Sequence, residues 1–194
     1  WNGLTDYSHP TQVLADLNPL AQLDAVGADQ ISGGEGNDII FGDTPNTDAL
    51  KVAMGVDLPA GSGWDVYAAL ENDPNISWER ADTIAHIRAN HGQLAEESVV
   101  ATGPRSGGND LIDGGDGNDI IYGQEGNDIL VGGFGNDILD GGSGNDILTG
   151  GDGADTFITA VDNDLIVDYS KGEGDILDLS HIYQSGNHLE VSEG

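Results

Sequence analysis

Across residues 107–158 an apolar residue returns every nine positions: Ile112, Ile121, Leu130, Leu139, Leu148 and Phe157. Glycine, asparagine and aspartate fill most of the space between them. Set out in nines, the stretch reads Gly114-Gly-Asp-Gly-Asn-Asp-Ile-Ile-Tyr122, Gly123-Gln-Glu-Gly-Asn-Asp-Ile-Leu-Val131, Gly132-Gly-Phe-Gly-Asn-Asp-Ile-Leu-Asp140 and Gly141-Gly-Ser-Gly-Asn-Asp-Ile-Leu-Thr149. One unit ends at Asp113 before these, and another, Gly150 to Ile158, follows in the same register. The last three positions of each unit predict a very short strand whose eighth residue points inward, while the seventh and ninth face away. The first six predict a tight turn, because Gly reaches positive φ without a Cβ penalty and Asn tolerates left-handed geometry. A low-complexity disordered tract has no need of a strict apolar eighth position.

The same register occurs earlier in the chain. Asp24 to Ser32 is a degenerate unit that keeps Gly27, Asp29 and Ile31 in place, and Gly33-Gly-Glu-Gly-Asn-Asp-Ile-Ile-Phe41 is a full one. Gly42-Asp43 then opens a turn that breaks off, and Gly107-Gly108-Asn109-Asp110 supplies the second half of such a turn. The expected organisation is one roll split at a turn, where insertion is best tolerated. It divides the chain into a linker or cap at 1–23, a first part of the roll at 24–43, an insert at 44–106, the main roll at 107–167 and a C-terminal cap at 168–194.

The insert carries helical spacing. Thr47 is expected to cap a helix through Ala49, Leu50, Val52, Ala53 and Met54 that stops at Gly55. Ser62 with Asp65 resembles a capping box ahead of Trp64, Val66, Tyr67, Ala69 and Leu70. Ser77 is expected to cap a third helix, running as far as Ser98 with a bend at Gly92, whose Trp78, Ala81, Ile84, Ala85 and Arg88 share a face. Near the N-terminus, His9-Pro10 predicts a short helix through Leu14 and Ala15. Past Ile158 the repeat fades into Leu165 to Tyr169, Asp175 to Leu179 and His188 to Val191, which predict strands. The outward positions of the repeats are themselves apolar: Ile39, Leu111, Ile120, Ile129, Ile138 and Ile147 at the seventh, with Phe41, Tyr122 and Val131 at the ninth. The helices are expected to fold back over this strip through Trp78, Ile84 and Ala85.

The nonapeptide G-G-x-G-x-D-x-U-x resembles the repeat of RTX (repeats-in-toxin) proteins. That resemblance implies a mainly β fold, a right-handed parallel β-roll in which two nines make one coil, and several Ca²⁺ ions between a turn and the turn two repeats on. The implied carboxylate pairs are Asp29 with Asp110, Asp38 with Asp119, Asp110 with Asp128, Asp119 with Asp137, Asp128 with Asp146, Asp137 with Asp155, and Asp146 with Asp164. Turn residues contribute carbonyls or the room for them: Gly33, Glu35, Gly42, Gly114, Asp116, Gly117, Gly123, Glu125, Gly126, Gly132, Phe134, Gly135, Gly141, Ser143, Gly144, Gly150 and Asp152. Aspartate and carbonyl oxygens are hard donors that suit Ca²⁺, at a modest affinity of about 10⁻⁴ to 10⁻³ M per site. Leu58-Pro-Ala-Gly-Ser-Gly-Trp64, Ile87-Arg-Ala-Asn-His91 and Tyr122-Gly-Gln-Glu-Gly-Asn-Asp128 are similar to signatures in the C-terminal regions of large bacterial RTX adhesins. The end of the chain resembles a type I secretion target region, expected to be incomplete at Gly194. The resemblance thus implies export by type I secretion machinery, folding on extracellular Ca²⁺, and surface display of an adhesin whose upstream domains meet a host or surface ligand. The alternatives are the C-terminal part of a secreted RTX lipase, metalloprotease or epimerase, and a peptide- or glycan-binding module formed by the insert.

Composition narrows the classes. The 194 residues carry 35 Asp and Glu against 5 Lys and Arg, a formal net charge of -30. Such acidity argues against nucleic acid and anionic membrane surfaces as partners, and the ion-free chain repels itself. There is no Cys to staple the fold. No run is apolar enough to span or enter a bilayer, and no signal peptide is recognisable. The chain opens at Trp1 without Met and is expected to be a fragment of a longer protein, monomeric in itself. No catalytic role is expected. His86 and His91 are five apart without an intervening zinc motif and are read as surface histidines. Asp73-Pro74 reads as an interhelix turn. The Gly-x-Gly strings follow three-residue strands rather than a βαβ unit, so they do not suggest a nucleotide site.

Overall fold

The structure, a computed structural model, describes residues 13–14, 28–59, 61–96, 107–160 and 162–180. Among these residues, eleven short strands and three helices follow one another in the order β1 (Val13–Leu14), β2 (Gln30–Glu35), β3 (Ile39–Phe41), α1 (Asp48–Met54), α2 (Trp64–Asn72), α3 (Arg80–Ala95), β4 (Leu111–Asp116), β5 (Ile120–Tyr122), β6 (Ile129–Phe134), β7 (Ile138–Asp140), β8 (Ile147–Asp152), β9 (Thr156–Ile158), β10 (Leu165–Ile166) and β11 (Ile176–Asp178). Alternate strands go to alternate sheets. One sheet has the order β1-β3-β5-β7-β9-β11 and the other β10-β8-β6-β4-β2, and every pairing is parallel. Each coil therefore gives one strand to each sheet, making a β-solenoid.

The eighth repeat position builds the interior. Ile40, Ile112, Ile121, Leu130, Leu139, Leu148 and Phe157 have no exposed surface, and with Ile31 they form one core cluster between the sheets. Register keeps like on like, as in Ile40 on Ile121 and Ile112 on Leu130. Full burial of each such side chain contributes about 1.5–3 kcal/mol. A one-residue slip would exchange this interior line for the outward seventh or ninth position, so the strict ninefold spacing and the register are one constraint.

The three helices lie between β3 and β4 in the chain, yet β2 pairs with β4 and β3 with β5 as if they were absent. Equivalent partners are 81 residues apart across the helices and 18 apart from Asp110 to Asp164. The difference, 63 residues, is the length of 44–106. Asp43 closes the split turn with its side chain: Oδ1 accepts from Gly108 N at 3.3 Å and Oδ2 from Glu125 N at 3.1 Å.

The helix starts differ from the sequence expectation. Thr47 stands at the N-cap position of α1 but makes no capping bond; its Oγ1 instead donates to Gly63 O at 2.9 Å and joins the starts of α1 and α2. Gly63, not Ser62, precedes α2, and Ser62 Oγ donates to Pro59 O. The capping box belongs to α3, where Glu79 and Asp82 bond each other's backbone N–H groups and displace Ser77 from that role. Helix α3 stops at Ala95 and is unbroken at Gly92. Its buried side is Thr83, Ile87 and Leu94, whereas Ala81, Ala85 and Arg88 are exposed. Trp78 misled the periodic reading because it precedes the helix. It packs at the helix start with Nε1 donating to Thr83 Oγ1 at 2.9 Å.

A second core joins the helices to the roll. Ile39, Phe41 and Tyr122 of β3 and β5 pack with Leu50, Val66, Tyr67, Leu70, Ile87 and Leu94. Phe41 stacks on Tyr122 with ring centroids 5.4 Å apart and meets the edge of Trp64 at 6.1 Å. The helices thus cover the first coils of the six-stranded sheet only. Leu111 and Ile129 of the other sheet, from the same outward strip, each remain 42% exposed.

Two further expectations change. Val13–Leu14 is a strand beside β3, not part of a helix, because the free edge of β3 supplies backbone partners. The remainder of the expected helix at His9 to Ala15, and the strand expected at His188 to Val191, lie outside the described residues. His86 and His91 are half-buried rather than free on the surface. His86 Nδ1 bonds Tyr67 Oη at 2.9 Å, and His91 Nδ1 bonds Tyr122 Oη at 2.7 Å, the latter from helix to roll.

Candidate calcium-binding turns

The turns stack in two rows, one along each side of the roll. Asp38, Asp119, Asp137 and Asp155 share one row, and Asp29, Asp110, Asp128, Asp146 and Asp164 share the other. Within a row each aspartate is tied to the next by the same bond: the backbone N–H of one donates to Oδ1 of the aspartate one coil on. Asp29 to Asp110, Asp38 to Asp119, Asp110 to Asp128 and Asp119 to Asp137 are each 2.8 Å. Asp128 to Asp146 and Asp137 to Asp155 are 2.9 Å, and Asp146 to Asp164 is 3.0 Å. The structure therefore brings together all seven aspartate pairs.

One carboxylate oxygen is used by this ladder; the other is not. Oδ2 of Asp119, Asp128, Asp137 and Asp146 is buried without a hydrogen-bond partner. Burial pushes these carboxyls up, helped by the neighbouring carboxylates of the row: Asp128 to about 8, Asp119 to about 7, and Asp137 and Asp146 to about 6. A buried anion without a cation is costly, so each row favours a proton or a metal ion.

The first glycine of each repeat lines the space beside that oxygen. A Cβ on Gly114 would lie 2.5 Å from Asp119 Oδ2 and 2.6 Å from Gly132 O, and one on Gly123 would lie 2.5 Å from both Asp128 Oδ2 and Gly141 O. Gly33, Gly42, Gly132, Gly141 and Gly150 face an aspartate Oδ2 in the same way. None of these first glycines has a positive φ; a side chain is excluded here because the aspartate Oδ2 occupies that space, joined at Gly33, Gly42, Gly114, Gly123 and Gly132 by a carbonyl oxygen. Gly117, Gly126, Gly135 and Gly144, at the fourth position, do have positive φ and stack against the carbonyl of the coil before. Gly132→Ala is expected to lower the melting temperature in saturating Ca²⁺ by several degrees, from an overpacking cost of about 1–3 kcal/mol. Gly172→Ala, whose nearest neighbour would be 3.8 Å away, is expected to melt like the parent. Equal melting of the two variants would show that the space beside Asp137 is not critical.

The third-position residues keep their side chains outside. Glu35, Asp116, Phe134, Ser143 and Asp152 are exposed, and Glu125 is half-buried. The carbonyls of Asp116, Phe134 and Asp152 already accept from Gly36, Gly117 and Gly135 N. A carbonyl has two lone pairs, so each retains one for a cation. Among the described residues no three carboxylate or imidazole side chains converge on one point. An ion in these turns would be held by at most two carboxylates together with backbone carbonyls. The donors are all hard oxygens on a flexible turn, which fits Ca²⁺ and does not provide the rigid octahedron that Mg²⁺ demands.

Asparagine at the fifth position has a different role from the one expected. Gln124 is the only described non-glycine residue with positive φ, at 72°, so the asparagines are not left-handed. They form ladders of their own. Asn37 Oδ1 accepts from Asn118 N at 2.8 Å, Asn118 Oδ1 from Asn136 N at 2.7 Å, and Asn109 Oδ1 from Asn127 N at 2.8 Å. Gln124 replaces the second glycine of its repeat, and its side chain links roll to insert: Oε1 accepts from Asp43 N at 3.0 Å and Nε2 donates to Ala95 O at 3.3 Å.

Three acidic residues beyond the expected set extend the rows. Asp175 Oδ1 accepts from Asp155 N at 3.0 Å, continuing the first row by another coil. Its spacing of 20 residues hides it from a ninefold reading; the remaining signal is Asp175-Ile176-Leu177, an aspartate two before an apolar residue. Asp168 accepts from Gly150 N and Gly151 N at 2.9 Å each, and Asp162 from Gly144 N at 3.0 Å.

The family model for RTX calcium-binding nonapeptide repeats, in four copies, matches residues 26–44, 106–139 and 131–166. No curated protein and no solved structure matches the chain. The matched residues include β2 and β3 before the helices and β4 to β10 after them, the strands that bear the two aspartate rows. With its parallel coils and its repeating turns, the solenoid of this chain is an RTX calcium-binding β-roll.

Proposed function

We propose that this β-roll folds when it meets extracellular Ca²⁺, and that it thereby supports type I secretion and surface display of a large adhesin. The observation that carries the reading is the pair of buried aspartate rows, whose Oδ2 atoms at Asp119, Asp128, Asp137 and Asp146 have no partner in the protein. Such rows hold the fold open until an ion arrives, and metal-binding energy then becomes folding energy. Affinities of about 10⁻⁴ to 10⁻³ M would leave the sites empty in the cytosol and fill them outside. An unfolded chain can thread a secretion channel, and folding on the far side favours forward movement. RTX repeats are typical of secreted proteins, and among the described residues no helix is long and apolar enough to cross a membrane. The individual ligands are the aspartates and turn carbonyls described above, several ions are bound, and the roll acts as a monomeric folding and display module rather than as an enzyme. Circular dichroism during a titration from submicromolar to millimolar Ca²⁺ tests this. The β signal is expected to rise cooperatively with a midpoint near 10⁻⁴ to 10⁻³ M, and equal concentrations of Mg²⁺ are expected to give little. A fold complete at submicromolar Ca²⁺ would defeat the export argument.

A further inference from the structure

The two sheets use the same repeat positions for their outer faces, but the helices cover only one of them. On the five-stranded sheet, Leu111, Ile129, Ile147 and Leu165 stand on the adjoining strands β4, β6, β8 and β10 and are 42, 42, 38 and 57% exposed. They are direct register neighbours, Leu111 to Ile129, Ile129 to Ile147 and Ile147 to Leu165. Parallel strands lie about 4.8 Å apart, so the stripe crosses about 14 Å of sheet. A contiguous apolar patch left in water marks an interaction surface. Acidic groups border it. Asp113 is exposed on the same face of β4, and Glu35, Asp116 and Asp152 are exposed at the ends of β2, β4 and β8. A second copy of the chain would set this acidic border against itself, whereas a basic partner complements it. The other sheet shows a mode of contact that this surface geometry accepts: helices lay apolar residues onto the outward positions Ile39, Phe41 and Tyr122. A span of about 14 Å corresponds to roughly nine residues of helix.

We propose that the outer face of the five-stranded sheet docks a basic amphipathic helix of a partner protein. Its apolar side chains rest on the stripe from Leu111 to Leu165, and its Lys or Arg side chains meet the acidic border. The apolar stripe supplies affinity and the border selects the sign of the partner's charge. The test uses the full chain in saturating Ca²⁺ and an 18-residue helical peptide with leucine on one face and lysine on the other. The comparison peptides are a scrambled sequence of the same composition and a version with glutamate for lysine. Fluorescence anisotropy is expected to show the amphipathic basic peptide binding at least tenfold tighter than either comparison peptide. Ile129→Gln with Ile147→Gln is expected to reduce its binding to the level of the scrambled peptide, with the Ca²⁺-dependent circular dichroism unchanged. A photo-crosslinking form of the peptide is expected to label β4, β6 and β8 of the unsubstituted chain rather than the helices, which gives a readout even if the double variant folds poorly. Equal binding of the scrambled peptide, labelling elsewhere, or no binding at millimolar peptide overturns the proposal. So does a dimer in sedimentation that Ile129→Gln disperses, which would make the occupant a second copy.

Discussion

In EDTA at pH 8 the roll is expected to be unfolded, and lowering the pH to about 5 is expected to restore part of its β signal without any metal. The sign follows from the aspartate rows. In the metal-free fold Asp128 is pushed up to about 8, Asp119 to about 7, and Asp137 and Asp146 to about 6. An unfolded Asp sits near 3.9. The fold therefore binds more protons than the unfolded chain between about pH 4 and 8, and its stability falls as pH rises through that window. Ca²⁺ reverses the trend, because it needs the same oxygens ionised. In saturating Ca²⁺ the roll is expected to be most stable near pH 8, and the Ca²⁺ needed for half-folding is expected to rise as pH falls to about 5. Relief of the -30 net charge by acid acts on both states. Asp119→Asn with Asp128→Asn separates the two effects, because amides remove the buried charges without titrating. This variant is expected to fold better than the parent in EDTA at pH 8 and to require more Ca²⁺ for any further gain. The linkage is refuted by a metal-free spectrum that is the same at pH 5 and 8, together with a Ca²⁺ midpoint that ignores pH.

The second large effect is expected from Phe41→Ala, which tests whether helices and roll unfold together. Phe41 belongs to β3 but has no exposed surface, because Trp64 and Tyr122 enclose it. Removing a buried Phe side chain costs about 3–5 kcal/mol. For a chain of this size that corresponds to a fall in melting temperature on the order of 10 °C in saturating Ca²⁺. Helical and β signals are expected to fall in a single transition, because the core around Phe41 draws on both parts and two further links cross between them. One is the His91 to Tyr122 bond, and the other is Gln124 Nε2 to Ala95 O. If the β signal instead melted at the parent temperature while helix was lost, the insert would be an independent unit on a loop.

Much of the roll was legible because its period is strict. The apolar residues from Ile112 to Phe157 mark every inward position, and the aspartate two before each marks a row. The split turn was legible because Gly42-Asp43 and Gly107-Gly108 are two halves of one motif. The helix boundaries were harder to read. Thr47, Ser62 and Ser77 are all good capping residue types, yet Thr47 bonds the distant Gly63 O, Ser62 bonds Pro59 O in its own turn, and Glu79 with Asp82 made the box that formed. The role of asparagine was misread because a side-chain ladder and a left-handed turn favour the same residue.

By itself the sequence determined the repeat, its register, the identity of the inward side chains, and the spacing that sets aspartate above aspartate. These follow from local rules: strand alternation, glycine at turns, and a nine-residue period that leaves one way to stack. Only the tertiary structure decided which oxygen of Asp119, Asp128, Asp137 and Asp146 is spent on the ladder and which is buried without a hydrogen-bond partner. It also showed that Val13–Leu14 adds a strand to β3, and that Asp175 extends a row despite its irregular spacing. Finally, it placed the helices on the six-stranded sheet and left Leu111, Ile129, Ile147 and Leu165 of the other exposed, although both outer faces carry the same kind of apolar strip. That choice rests on Phe41 and Tyr122, whose rings give the helices a surface to pack on, and on Asp43 and Gln124, which fix the two ends of the insert beside them. Contacts between residues far apart in sequence make that choice, and no local pattern contains them.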